Sequence, residues 1–282
     1  MKLPQLYIDN IINTALAEDI NYIDVTTDNL LSDEQCAHAK FVAKDSGVLC
    51  GIDVAARVFE LLDGETKISI HLRDGSRVRK GDVIAELDGS ARVLLKGERT
   101  ALNLLQHMSG IATATAECVR LVEGTGAHIT DTRKTLPGLR ALQKYAVTVG
   151  GGRNHRFNLS DGAMLKDNHI DAYGGITAAV AALRDKIGHM VSIEVEVRNL
   201  DELREALECG TEIIMLDNMS NEDMKKAVEI TAKRAKLEAS GNVTAENIRG
   251  IAETGVDIIS LGALTHSVKC FDISMRIDKI KI

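Results

Sequence analysis

The fold class of this chain is decided by the stretch Val191-Ser192-Ile193-Glu194-Val195-Glu196-Val197. Successive side chains of a strand point to opposite faces, so this stretch has an aliphatic face and a face that carries Ser192, Glu194 and Glu196. An open parallel sheet that is covered by helices on both sides needs two apolar faces. A barrel strand can instead turn its aliphatic face to the surrounding helices and its carboxylates to the interior. The stretch therefore predicts a barrel.

Strand and helix patterns alternate on both sides of this stretch. Short runs rich in Ile, Val and Leu begin roughly 20 residues apart, as in repeated βα units. The intervening segments carry apolar residues three and four apart, which is typical of helices. Together with the charged strand face, the alternation predicts an incomplete α/β barrel of the TIM type. The predicted strands are 127–131, 163–166, 191–197, 212–217, 235–239 and 257–261, and the predicted helices are 176–186, 200–208, 221–232 and 245–253.

The first part of the chain has no such alternation and predicts a separate α+β domain. Its pattern indicates an N-terminal helix within residues 1–20 and strands that flank the turn at Asp74-Gly75. We therefore predict an N-terminal α+β domain at 1–110, an α/β barrel at 111–269, and a C-terminal segment, 270–282, that packs back on the first domain. The further elements predicted there are a strand at 37–48, a helix at 54–62, strands at 68–72 and 83–87, a helix at 98–109 and a strand at 270–277.

Composition excludes several classes of protein. The net charge is −7 and aromatic residues make up 3%, which disfavours general binding to nucleic acid or to an anionic membrane. The five cysteines are scattered, without a C-x-x-C pair, so neither a disulfide framework nor a zinc site is expected. The first 20 residues carry Asp9, Glu18 and Asp19, which is unlike a signal peptide. We expect a cytoplasmic protein.

Polar residues collect where the predicted strands end. In a barrel these carboxyl ends share one rim, where active sites lie. The loops after the last two strands contain Ser240-Gly241-Asn242 and Gly262-Ala263, each before a predicted helix, and such loops often bind phosphate. Two ordinary turns that bind no phosphate account for this pattern equally well. The polar residues at the rim are Asp131, Lys166, Glu196, Asp217, Ser240 and Ser260.

One segment of this acidic chain, residues 131–169, is rich in cations. It contains Arg133, Lys134, Arg153 and Arg156 together with the glycine run 150–152. Guanidinium groups match carboxylate or phosphate with paired donors, and glycine lets backbone approach a ligand closely. The chemistry predicts a site for a small ligand with several negative charges, although a solvated surface loop accounts for it equally well.

A series of longer motifs resembles the quinolinate phosphoribosyltransferase family, among the type II phosphoribosyltransferases. The motifs occur in the order of the family and cover nearly the whole chain. They are Glu98-Arg99-Thr100-Ala101-Leu102-Asn103-Leu104-Leu105-Gln106, Ser109-Gly110-Ile111-Ala112-Thr113, Thr132-Arg133-Lys134-Thr135-Leu136-Pro137-Gly138-Leu139-Arg140, Gly150-Gly151-Gly152-Arg153-Asn154-His155-Arg156, Leu165-Lys166-Asp167-Asn168-His169, Glu194-Val195-Glu196-Val197, Met215-Leu216-Asp217-Asn218 and Glu238-Ala239-Ser240-Gly241.

The resemblance implies a pentosyltransferase, nicotinate-nucleotide diphosphorylase (carboxylating). Such an enzyme transfers phosphoribosyl from phosphoribosyl pyrophosphate to quinolinate with decarboxylation. The products are nicotinate mononucleotide, carbon dioxide and pyrophosphate, in de novo NAD biosynthesis. The resemblance also implies a Mg²⁺ cofactor, no organic cofactor, and a homodimer whose further assembly the sequence leaves open.

Roles for single residues follow from the resemblance. It implies that Lys134, Lys166, Glu196 and Asp217 are catalytic, with Glu196 and Asp217 also meeting the ribose hydroxyls and Mg²⁺, largely through substrate. Arg99 is expected to act from the partner subunit. The other expected contacts are Arg133, His155, Arg156 and Lys166 with the carboxylates of quinolinate, Lys134 and Lys166 with phosphoribosyl pyrophosphate, and Ser240, Gly241, Asn242, Ser260, Leu261 and Gly262 with the 5′-phosphate.

Three departures from the family pattern accompany these matches. Asn242 stands where many relatives have a second glycine, and we expect the loop to keep its shape because Asn tolerates left-handed backbone angles. Gln143 replaces a frequent Glu, and the segment 21–24 replaces a glycine-containing turn. None of the three removes a charged residue of the expected site.

Two other functions remain open on the sequence alone. One is a related phosphoribosyltransferase with another acceptor, and the other is a binding protein that keeps the anion site without turnover. The hairpin pattern at 74–89 is similar to those of biotinyl and lipoyl carriers. No lysine stands in a carrier-type turn there, so we interpret it as ordinary β-turn chemistry.

Overall fold

The computed structural model describes residues 3–281. Met1 and Lys2, at the start of the predicted N-terminal helix, and Ile282, at the end of the predicted C-terminal segment, lie outside the described residues. The chain forms two compact units. The first consists of Met1–Ala116, Thr135–Gly151 and Leu264–Ile282, and the second of Glu117–Lys134 and Gly152–Ala263.

The helices of the described chain include the seven predicted ones in order, together with four that the sequence pattern did not predict, at residues 27–30, 140–149, 167–173 and 263–266. Within the described chain they are α1 (Gln5–Ile20), α2 (Thr27–Leu30), α3 (Ile52–Leu62), α4 (Ala91–Leu121), α5 (Arg140–Val149), α6 (Asp167–Tyr173), α7 (Ile176–Arg184), α8 (Leu200–Glu208), α9 (Asn221–Thr231), α10 (Ile248–Ala252) and α11 (Ala263–His266). No helix in the described part of the chain is both long and apolar enough to cross a membrane.

The first unit is built on an antiparallel sheet in the order β12-β1-β5-β3. The last strand of the chain, β12, pairs along the whole of β1 and forms one edge of this sheet. The strand predicted at 37–48 is in fact two strands, because Lys44–Ser46 turns between them, and the second pairs with β4. The strands are β1 (Cys36–Ala43), β2 (Gly47–Val48), β3 (Lys67–Ile70), β4 (Arg77–Val78), β5 (Val83–Ser90) and β12 (Ile273–Lys281).

The second unit contains a parallel sheet of six strands in the order β6-β11-β10-β9-β8-β7. Helices α7, α8 and α9 follow β7, β8 and β9, as the predicted βα series requires. No pairing joins β6 to β7 within residues 3–281, so the barrel is incomplete. The strands are β6 (His128–Thr130), β7 (Ala163–Leu165), β8 (Ile193–Val197), β9 (Ile213–Asp217), β10 (Lys236–Ser240) and β11 (Ile258–Ser260).

The orientation predicted for β8 is confirmed. Ile193, Val195 and Val197 are fully buried. Glu194 and Glu196 project from the opposite face and line cavities within the barrel unit. Carboxylates in the barrel interior mark the position of a polar site, because charged groups are buried only where partners compensate them.

Two predicted boundaries differ from the structure. The helix predicted at 98–109 is part of the much longer α4, which crosses the domain boundary predicted at residue 110, so that boundary stays a prediction. The helix predicted at 245–253 is only α10, because Thr244–Asn247 forms a turn in which Asn247 Oδ1 accepts the Thr244 N–H at 2.8 Å.

Gly110 allows close packing within the first unit. A Cβ at this position would lie 2.3 Å from the carbonyl oxygen of Lys269 and 3.1 Å from Val268 Cγ1. The first of these is a backbone atom that cannot rotate away, so the contact requires glycine.

We expect Gly110→Ala to lower the free energy of unfolding by roughly 1–3 kcal/mol, because the added methyl group overpacks this contact. Urea denaturation measures the change. Gly64→Ala is the matched control, since a Cβ at Gly64 would have no atom within 4 Å. Equal stability of the two variants would contradict the packing role.

Candidate active site

The carboxyl ends of the barrel strands surround a cavity of about 480 Å³, which we call the rim cavity. It contains nine of the predicted site residues and lies wholly within the second unit. Its lining is Thr132, Arg133, Lys134, His155, Arg156, Met164, Lys166, Glu196, Met215, Asp217, Glu238, Ser240 and Ser260.

Cations reach the rim cavity from three separate stretches of chain. Arg133 and Lys134 follow β6, and Lys166 follows β7. Arg156 is half-buried, and its Nη1 donates to the carbonyl of Gly162 at 2.8 Å. Burial and the neighbouring Arg133 lower the pKa of Arg156 from its ordinary value. Guanidinium groups that repel each other in a partly desolvated site favour an anionic ligand.

Asp131 holds the segment that carries His155 and Arg156. Its buried carboxylate accepts the backbone N–H of His155 at 2.9 Å and the side-chain amide of Asn154 at 2.6 Å. The Arg153 N–H donates to the carbonyl of Ile129 at 2.8 Å, so the segment at Arg153 is hydrogen-bonded to β6 as a neighbouring strand would be. The chain after Gly152 is therefore fixed beside β6, although about 20 residues separate the two in sequence.

Lys166 is placed by the start of α6. Its backbone N–H donates to His169 Nδ1 at 3.1 Å, and its carbonyl accepts the His169 N–H at 2.8 Å. Its ammonium group lies 3.1 Å from Glu196 Oε2. His169 therefore orders the backbone of this loop, and Lys166 and Glu196 form an ion pair at the cavity.

Glu196 and Asp217 are the carboxylates nearest the mouth. Glu196 is the penultimate residue of β8, Asp217 is the last residue of the neighbouring β9, and both line the rim cavity. Mg²⁺ is commonly held by one or two carboxylates together with substrate phosphates, so this pair fits a substrate-bound Mg²⁺.

A second group of acids lies one layer deeper. His155 Nε2 is 3.0 Å from Glu194 Oε2 and 3.7 Å from Glu238 Oε2. Both carboxylates are buried, with 4% and 2% of the residue exposed. Burial and the neighbouring Glu194 raise the pKa of Glu238 to about 7, against the opposing effects of His155 and Ser260.

The spacing of His155, Glu194 and Glu238 is compatible with a metal ion, since one ligand atom of each lies within 4.8 Å of the others. The hydrogen bonds argue against it. His155 Nδ1 accepts the N–H of Arg156 at 2.8 Å, so the ring proton is on Nε2. Nε2 therefore donates towards the carboxylates and has no lone pair for a metal.

The predicted phosphate loops lie at the ends of β10 and β11. Ser240 and Ser260 line the rim cavity. Gly241 has φ +96°, and a Cβ there would lie 2.2 Å from Asn218 Oδ1. Gly262 leads directly into α11, whereas five residues separate Asn242 from α10.

The structure does not bring every predicted residue to the rim cavity. Gly241, Asn242, Leu261 and Gly262 are neighbours of lining residues, and Leu261 is itself buried. Arg99 is exposed on α4 in the first unit, and its action from a partner subunit stays a prediction. The prediction omitted Glu238, whose signal was its position two residues before Ser240 on the same predicted strand.

Asn242 adopts the left-handed conformation that we expected of it. Its φ is +48°, and its side-chain amide donates to Asn218 Oδ1 at 3.0 Å. Its carbonyl accepts the Asn247 side chain at 3.0 Å. Asn242 thus adopts a positive φ of the kind that glycine adopts readily.

We expect Asn242→Gly to keep the loop intact and Asn242→Val to lower the free energy of unfolding by about 1–2 kcal/mol. A β-branched residue is strained at positive φ, whereas glycine is not. Thermal and urea unfolding of the two variants provide the test. Equal stability of Asn242→Val and the parent chain would contradict this account of the loop.

Comparison with known proteins agrees with this geometry. Residues 24–109 match the family model for the quinolinate phosphoribosyl transferase N-terminal domain, and residues 111–276 match the model for its C-terminal domain. The probable nicotinate-nucleotide pyrophosphorylase (carboxylating) of Bacillus subtilis (strain 168) is 46% identical over 272 residues, which cover 96% of this chain and 94% of the relative.

Further relatives show the same correspondence. The protein of that name from Synechocystis sp. (strain ATCC 27184 / PCC 6803 / Kazusa) is 44% identical over 277 residues, covering 97% of this chain and 94% of the relative. The crystal structure of NadC from Streptococcus pyogenes superposes with a TM-score of 0.95 at 43% identity and covers 100% of this chain and 99% of its own. With both domain models matched and such relatives spanning nearly its whole length, the chain belongs to the quinolinate phosphoribosyltransferase family.

Proposed function

We propose that this chain transfers the phosphoribosyl group of phosphoribosyl pyrophosphate to quinolinate and decarboxylates the product to nicotinate mononucleotide. The observation that carries the proposal is the rim cavity, where Arg133, Lys134, Arg156 and Lys166 face two mouth carboxylates. Both substrates are polyanions, and they can share a site only if cations offset their repulsion. Each hydrogen bond to a charged group contributes about 1.5–3 kcal/mol.

Quinolinate is held by the arginines in this proposal. Arg133 and Arg156 offer planar donor pairs suited to its two carboxylates, and the ammonium group of Lys166 adds a third cation. His155 forms part of the same wall, with its Nε2–H directed to Glu194. Arg99 of a partner subunit completes the carboxylate site, and the active protein is a cytoplasmic homodimer.

The sugar donor lies at the mouth of the cavity. Glu196 and Asp217 orient the ribose hydroxyls and would hold Mg²⁺, largely through substrate, and the ion would neutralise the leaving pyrophosphate. Their negative charge stabilises the positive charge that develops on the ribose carbon. Lys134 and Lys166 contact the donor phosphates.

The 5′-phosphate binds to the loops that follow β10 and β11. Its contacts come from the segments 240–242 and 260–262. Loops after the last two strands of such barrels commonly bind phosphate, and Gly241 gives the backbone the approach that a bulky side chain would block. With both substrates fixed, positioning supplies much of the rate enhancement.

We expect Arg133→Ala and Lys166→Ala each to lower kcat/KM for quinolinate on the order of 100-fold or more, because each removes one partner of a charged contact. Steady-state kinetics measure the loss, and circular dichroism checks the fold. Lys225→Ala is the matched control, since Lys225 is exposed on α9 outside the rim cavity. Turnover equal to that of the parent in both site variants would refute the proposed site.

A product assay distinguishes the acceptor. With phosphoribosyl pyrophosphate and Mg²⁺, we expect nicotinate mononucleotide and an equal amount of carbon dioxide from quinolinate, and no product from nicotinate, because nicotinate lacks one of the two carboxylates that the arginines hold. Product from nicotinate would show that the second carboxylate is dispensable. Binding of quinolinate without turnover would instead favour a binding protein.

A further inference from the structure

The decarboxylation step needs a proton donor, and none of the roles assigned above is that of a proton donor. When the bond between the ring C2 and its carboxylate breaks, the electron pair stays on C2, beside the positively charged ring nitrogen. Carbon dioxide leaves, and C2 must then gain a proton to give nicotinate mononucleotide. A donor that lines the cavity at the acceptor ring can supply it.

We propose that the Glu238 carboxyl group is this donor. The proposal rests on the function proposed above and adds one step to it. The Glu238 O–H bond breaks, the proton moves to C2 and forms the new C–H bond, and Glu238 is left as a carboxylate. Solvent returns a proton to Glu238 before the next turnover.

The position of Glu238 in the barrel supports this role. It lies on β10 two residues before Ser240, which places it about 6–7 Å deeper than the mouth. It nevertheless lines the rim cavity, together with Arg133, His155 and Arg156. These are the side chains proposed to surround the acceptor ring, whereas the sugar-facing carboxylates lie within one residue of the ends of their strands, at the mouth.

The two buried carboxylates beside His155 have only one N–H donor between them, so a second proton is needed to compensate their charge. Glu194 and Glu238 both face His155 Nε2, which carries a single hydrogen. Asp131 adds a third buried carboxylate nearby, and Ser260 lines the same wall. Two desolvated carboxylates that share one donor retain a proton between them.

The contacts indicate which of the two acids carries the extra proton. Glu194 Oε2 is the closer acceptor of the His155 N–H, at 3.0 Å against 3.7 Å for Glu238. Within residues 3–281, the buried Oε1 atoms of Glu194 and Glu238 both have no hydrogen-bond partner, but of the two acids only Glu238 lines the rim cavity. A proton on Glu238 is therefore held beside the cavity and can be transferred to a ligand.

The two lysines that line the rim cavity, Lys134 and Lys166, are less suited to the step, and Lys134 is exposed. The ammonium group of Lys166 is paired with Glu196 at 3.1 Å. An ammonium group is in general also a weaker acid than a carboxylic acid.

The test separates the two halves of the reaction in Glu238→Gln. In single turnovers, pyrophosphate release reports phosphoribosyl transfer, and nicotinate mononucleotide reports decarboxylation with protonation. We expect pyrophosphate release within about threefold of the parent rate. We expect nicotinate mononucleotide to form on the order of 100-fold more slowly, the typical contribution of a general acid. Glu238→Asp, which keeps a carboxyl group, should recover part of this loss.

Three outcomes would overturn the assignment. Equal slowing of both steps would show that Glu238 only shapes the site, and parent rates for both would show that another group donates the proton. An aspartate variant no faster than the glutamine variant in the second step would do the same. If Glu238→Gln does not fold, Glu238→Asp is compared with the parent chain, and equal slowing of the two steps in that variant would overturn the assignment.

Two controls accompany the measurement. Glu222→Gln, at an exposed position in the first turn of α9, should match the parent in both steps. Absence of any product with the parent chain would refute the proposed function itself, a result distinct from a selective defect in the variant.

Discussion

Charge balance inside the barrel is the constraint on which the rest of the catalytic unit depends. The alternation of β8 turns Glu194 and Glu196 inward, and β10 adds Glu238 to the same interior. Carboxylates that leave water are costly unless hydrogen bonds, cations or protons compensate them. Arg156 and the His155 imidazole face these acids from a segment that Asp131 holds, so one polar network both stabilises the interior and forms the site.

The polar groups inside the barrel lie at two depths, and the roles proposed for them differ with depth. Groups within one residue of the strand ends, such as Glu196 and Asp217, lie at the mouth, where a hydrated sugar donor and its metal ion can enter. Groups one pleat deeper lie in a drier environment, where a carboxylic acid can keep its proton near neutral pH.

The conformations of single residues at the rim also serve this arrangement. Gly241 and Asn242 both have positive φ, and together with Asn218 they bring the ends of β9 and β10 into contact. The loops are therefore part of the rigid frame of the barrel. A frame of this kind fixes backbone N–H groups and hydroxyls before a ligand binds, which lowers the ordering cost of binding.

The sequence by itself determined the βα series, the inward face of β8 and most of the charged residues, because side-chain periodicity and motif order are local properties. Only the tertiary structure decided that α4 runs through the predicted boundary and that β2 separates from β1. It alone brought Glu238 beside Glu194 and His155, residues 44 and 83 positions away. Burial, and with it the protonation of an acid, depends on such distant neighbours, which no local pattern contains.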